Sequence, residues 1–241
     1  MNNFGGMKIM ANNSSKSLSF GKASYETLAE GRGVSAATYN LIMGGMVLYG
    51  IVINIIMCMT CTEFALSINP IVMLIGYLVL VLAGTFIIHR AKSSVIRFAA
   101  YNMIVVPLGL VLSIVVQAYG GVEAAVVQQA FLYTGIITGA MVMLSIAFPK
   151  FFSKIGGMLL GCLIGMIIAY LIVWLMGINT IIIAYFGAAL FSLYIGYDFW
   201  RSQQLAPTVG NAILSACEIY VDMVNLFIRL LEIFGNSKSS N

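Results

Sequence analysis

What this sequence has least of is charge. Only 8% of its 241 residues are Asp, Glu, Lys or Arg, while 61% are hydrophobic. A soluble domain carries roughly 25% charged and 45–50% apolar residues, so this chain cannot cover a water-facing globular surface. The formal net charge is +4 and the basic residues form no cluster, which argues against a nucleic-acid partner. The four cysteines give no disulfide framework. Cys58 and Cys61 form a Cys-x-x-Cys, but Cys162 and Cys217 lie far away in other apolar stretches, so no second pair completes a metal or redox site. A phosphate-binding glycine loop, a nucleophile elbow and a zinc motif are also missing, so neither an enzyme nor a resident cofactor is expected. The first 38 residues are polar, with Lys8, Lys16, Lys22 and Arg32 spread among Ser, Asn and Gly. They lack the apolar core of a signal peptide and read as a disordered cytoplasmic tail.

The remainder is apolar sequence in seven long stretches, at about 39–60, 70–89, 95–118, 124–147, 155–177, 179–200 and 209–233. Each is long enough for a membrane span, which takes about 20 residues to cross a core of roughly 30 Å. Pro70, Pro149 and Pro207 punctuate the boundaries, and Pro107 lies inside the third stretch, where a kink is expected. The expected fold is an all-α membrane protein of seven transmembrane helices over 39–235, followed by a short polar tail at 236–241. Orientation follows the basic residues of short loops. Arg90, Lys92, Arg97, Lys150, Lys154 and Arg201 share one side with the basic N-terminal segment, whereas the other side carries Glu63 and Glu123. The N-terminus is therefore expected in the cytoplasm. Seven spans put the C-terminus outside, against the weaker signal of Lys238.

The last stretch differs from the rest. Asn211, Ser215, Glu218, Asp222, Asn225, Arg229 and Glu232 follow one another at alternating gaps of four and three, which sets all of them on one helix face. The stripe covers about 32 Å at 1.5 Å per residue, roughly the whole bilayer core. A charge at mid-membrane costs about 2.5–3.5 kcal/mol even on the lenient insertion scale, so this face cannot meet lipid. Either the helix lies flat in the interface with the stripe toward water, or it stands inside the bundle with the stripe along a polar path. Interfacial helices favour Lys and Arg on their polar face, and this one has a single Arg and three acids, which favours the second arrangement.

The chain holds only two aspartates, Asp198 and Asp222, on the last two helices. They meet only if the sixth helix runs past Trp200 or the seventh starts near Gly210. Two adjacent carboxylates in a low dielectric resist double ionisation and share a proton; separately solvated acids are the alternative. Arg90, closing the second helix, reads either as a topology anchor or as a gate paired with the aspartates, and His89 beside it as an interfacial residue. Gly157, Gly161 and Gly165, spaced by four, let helices approach closely, either within the bundle or, less readily, along a homodimer seam. A monomer is the expectation.

Two segments carry a family resemblance. Ala189 to Asp198, reading Ala-Leu-Phe-Ser-Leu-Tyr-Ile-Gly-Tyr-Asp, resembles the sixth-helix signature of the Bax inhibitor-1 family. Ile219 to Leu231, reading Ile-Tyr-Val-Asp-Met-Val-Asn-Leu-Phe-Ile-Arg-Leu-Leu, resembles its last-helix signature. The resemblance implies six helices wrapped around a central C-terminal helix and a pH-sensitive calcium leak channel. It makes Asp198 and Asp222 the pH sensor and gives Arg90 a part in closing the pore. Glu218 departs from the family pattern by adding an acid one turn before Asp222. Asp198, Glu218, Asp222 and Asn225 offer the oxygens that hard cations favour, with the three acids as transient calcium ligands and Asn211, Ser215, Glu218, Asn225 and Arg229 lining the path. Two other functions compete: a scaffold or regulator of a membrane protein partner, and an intramembrane aspartyl protease. The latter carries Gly-x-Gly-Asp where this chain has Ile219-Tyr220-Val221-Asp222. The expected location is a bacterial inner membrane.

Overall fold

The computed structural model describes residues 33–177 and 181–239, and the expected disordered tail falls almost wholly outside them. The described residues form eight helices: α1 (Ala36–Thr60), α2 (Thr62–Ser67), α3 (Pro70–Arg90), α4 (Ser94–Ala118), α5 (Ala125–Ala147), α6 (Pro149–Met176), α7 (Ile181–Ser202) and α8 (Val209–Ser239). Six of them, α1 and α3 to α7, contain a stretch long and apolar enough to cross a membrane. The expected count of seven therefore divides. α2 is an added short helix after α1, and α8 is long enough to span but is amphipathic and not among the six apolar candidates.

Local chemistry sets the boundaries. The Ser35 side chain accepts from the Thr38 amide at the start of α1, and Asn69 accepts from the Ile71 amide ahead of Pro70 at the first turn of α3. The α4–α5 turn needs Gly120 and Gly121, whose φ angles of 100° and 83° suit no branched side chain. Pro107 sits within α4, which stays helical through it. α6 begins at Pro149, six residues before the expected start, because proline is favoured in a first turn that needs no amide donor. α8 remains helical to Ser239, across most of the segment read as a tail.

The packing is anchored on α8. It contacts α1, α4, α5 and α7, and it contributes to all three apolar core clusters. One cluster joins Leu226 and Leu231 to Ile195 and Leu159. Another joins Tyr220 to Tyr101 and Ile104, and the third sets Ala212 and Ala216 against Tyr39. Every residue from Gly210 to Cys217 is buried, and none from 209 to 235 is exposed. Over Gly210–Cys217 the helix is therefore covered on every side. At one end of the bundle the start of α1 is tied to the α7–α8 connection: the Val34 amide donates to the Pro207 carbonyl at 2.8 Å, and the Tyr39 hydroxyl donates to the Ser202 carbonyl at 3.0 Å.

Candidate functional site

The polar stripe of α8 finds partners on five other helices, with Asp222 Oδ2 and Arg229 Nε left buried and unpartnered. Asn211 is fully buried; its Oδ1 accepts from Nη1 of Arg97 on α4 at 2.7 Å, and its Nδ2 donates to the Ala206 carbonyl at 2.9 Å. Ser215, also fully buried, shares a hydrogen bond of 3.0 Å with the Tyr39 hydroxyl of α1. Glu218 meets Arg201 Nη1 of α7 at 3.3 Å and His89 Nε2 of α3 at 3.4 Å. Asp222 faces Asp198 of α7. Asn225 donates back to the Val221 carbonyl of its own helix at 2.8 Å. Arg229 donates to both Glu232 oxygens at 2.8 and 2.9 Å and to the Tyr170 hydroxyl of α6, whose ring lies 4.6 Å below its guanidinium.

The two aspartates meet because α7 continues past Trp200 to Ser202, one of the two conditions on which the expected encounter depended. Their carboxyl groups lie close enough to act on each other electrostatically, and both side chains are buried, 8% and 7% exposed. Two buried carboxyls this near each other resist double ionisation. Asp222 Oδ2 is buried with no partner of its own. Glu218 and Arg201 both act electrostatically on Asp198, one acidic and one basic. Among the described residues, no three His, Cys, Asp or Glu side chains converge as a metal site, so Glu218 does not join the pair in a three-carboxylate cage.

Arg90 is placed elsewhere. It is exposed, with its guanidinium 5.0 Å over the Phe86 ring, and among the described residues no ion pair joins it to either aspartate. The basic side chains that reach Glu218 at this end include Arg201 and His89. Sequence reasoning also missed Arg97, which counts as a loop cation by position but is only 2% exposed and holds the Ala91 carbonyl as well as Asn211. Its place one turn inside α4, rather than in the preceding loop, is the signal that could have found it. Tyr39, Tyr101 and Tyr170 carry a similar signal, since a hydroxyl inside an apolar span needs a partner. Tyr101 donates to the Met46 carbonyl at 3.0 Å, and Tyr220 accepts from Asn54 Nδ2.

Gly157, Gly161 and Gly165 are not packed within the bundle. All three are exposed on α6, and a Cβ added to any of them would meet nothing within 4 Å. The fifth stretch turns this face outward because its contacts to α7 come from Phe152, Ile155 and Leu159 on the other side. Cys58, Cys61, Cys162 and Cys217 are all free.

A helical bundle with apolar spans and one buried, amphipathic C-terminal helix is a polytopic membrane protein with a polar interior seam. Comparison with known sequences gives the particular class. Residues 31–239 match the family described as "Inhibitor of apoptosis-promoting Bax1", and the chain belongs to that family. It is also similar to the inner membrane protein YbhL of Escherichia coli strain K12 and of strain O6:H1 CFT073. Each is 27% identical over 179 residues, covering 69% of this chain and 74% of the relative.

Proposed function

We propose that the chain is a pH-sensitive calcium leak channel of a bacterial inner membrane, with α8 as a seventh span enclosed by the other six. The carrying observation is the proximity of its only two aspartates, both buried, inside an apolar bundle. Burying two carboxylates without a directly paired cation costs several kcal/mol, and a shared proton relieves it. Loss of that proton leaves two negative charges close together and drives α7 and α8 apart at this level. Proton binding is thereby linked to helix packing, which is what a gate needs. The stripe above and below the pair supplies oxygens for a passing hard cation at Glu218 and Asn225. In the arrangement described here the stripe is closed. Asn211 and Ser215 are fully buried, Arg201 and His89 latch Glu218 at one end, and Arg229, Glu232 and Tyr170 interlock at the other. Arg201, one turn beyond Asp198, takes the gating part expected of Arg90. The N-terminus and the Arg201 end face the cytoplasm in this reading, following the basic loops. Calcium is cargo and no resident cofactor is required.

Calcium flux into proteoliposomes tests the proposal. Wild type is expected to conduct with a rate that changes with pH, and the double variant Asp198→Asn, Asp222→Asn to conduct with a rate that does not. PH-dependent flux of wild-type size in the double variant would remove the sensor role. A regulator of a membrane partner is the second reading, favoured by the outward glycine face of α6. It predicts no flux and a partner helix cross-linked at Gly161→Cys.

A further inference from the structure

An apolar cavity lies off the polar stripe. It encloses about 480 Å³ between α1, α4, α5 and α8, within the range of small-molecule sites. Its walls are apolar, formed by Ile51 and Ile55 of α1, Leu112 and Val116 of α4, Phe131 of α5 and Phe227 of α8. Of the polar side chains that touch it, Thr134 Oγ1 donates to the Ala130 carbonyl at 2.7 Å and Asn54 Nδ2 donates to Tyr220, while Asn54 Oδ1 is buried without a partner. Gln128, whose Nε2 reaches the Glu123 carbonyl at 3.5 Å, stands where the cavity meets the α4–α5 turn. An apolar cavity of this kind stays dry and takes apolar occupants.

Two features say what the occupant is. α1 and α5 make no substantial contact with each other, so the cavity is open sideways between two membrane-spanning helices, onto the hydrocarbon. Along α1 the lining runs from Leu48 to Cys58, about 15 Å at 1.5 Å per residue. That is half of a roughly 30 Å bilayer core, the depth of one leaflet. The lining starts at Val122, beside the acidic-end turn, and reaches Met223 in the middle of α8. We propose that this lateral cavity binds a single hydrocarbon chain of a membrane lipid, entering between α1 and α5, with its headgroup near Gln128 and its chain end against Met223 and Val224. The site stands independently of whether the protein conducts calcium.

The full chain, reconstituted with a trace of phosphatidylethanolamine carrying a diazirine at one chain end, is photolysed and its adducts are mapped by mass spectrometry. Adducts are expected on Leu112 and Phe227, which lie behind the lipid-facing surface, above the background on outward positions of α3 such as Leu82. Gly135 lines the cavity and has nothing within 4 Å of an added Cβ. Gly135→Leu should therefore fill the space without a clash and cut those adducts by about tenfold. Gly157→Leu, at an equally open position on α6, should leave them unchanged. Phe131→Trp, on the same wall as Gly135, is the second blocking variant if Gly135→Leu does not fold. Adducts on Leu112 and Phe227 no more frequent than on Leu82, or indifferent to both blocking variants, would overturn the site. So would a cross-linked second copy filling the same gap.

Discussion

α3 and α8 stand in the same bundle, but only Gly84 and Ile88 of α3 are buried, while α8 exposes nothing between 209 and 235. α3 is apolar all round and presents Leu74, Leu78 and Leu82 outward; α8 carries a polar stripe and points it inward. In water the more apolar helix would be the buried one. In a bilayer the order reverses, because lipid accepts leucine on every side and rejects every unpaired polar group. The helix with the most charge is the one left without an exposed residue from 209 to 235, and its stability depends on specific partners where α3 depends on general apolarity.

Substitutions at the two helices should separate accordingly. The largest effect is expected at the top of the stripe. Arg97→Met removes both donors, strands Asn211 Oδ1 and the Ala91 carbonyl, and should destabilise the protein by about 3 kcal/mol in detergent unfolding. Next comes the single tight point of α3. A Cβ on Gly84 would stand 2.9 Å from the Ala100 carbonyl oxygen, backbone that cannot swing away, so Gly84→Ala should cost roughly 1–3 kcal/mol by the same assay. Glu218→Gln releases Arg201 and His89; because both are more than a third exposed, the stability loss should stay under about 1 kcal/mol while basal calcium flux rises. Smallest is Gly76→Ala on α3, where the new methyl meets nothing and a better helix former replaces glycine, so any change should stay within about 0.5 kcal/mol. If Gly76→Ala proved as damaging as Arg97→Met, the contrast between the two helices would be wrong.

The contrast also marks what could be read from sequence. Hydropathy alone sets the long spans to within a few residues, apart from the early start of α6 and the late end of α8, because length and apolarity are the physics that a bilayer selects. The four-three rhythm on α8 identifies which helix has to be enclosed. The pairing of Asp198 with Asp222 is legible as a condition on where α7 ends, and Ser202 meets it. Partner identity is not legible. Which arginine serves the acids depends on helix rotation: Arg201 turns toward Glu218, Arg97 turns into the core, and Arg90 turns onto Phe86. The glycines of α6 show the same limit, since their spacing defines a smooth face without saying which way it looks.

The central claim is that α8 crosses the membrane inside the bundle. Its 31 residues make a helix of about 46 Å, ample for a crossing. Reporter fusions to each terminus of the full chain, one active only in the cytoplasm and one only outside it, measure this directly. The account predicts termini on opposite faces, with the N-terminus in the cytoplasm and the C-terminus outside. Both termini on the cytoplasmic face would leave six spans, return the stripe of α8 to the interface, and contradict it.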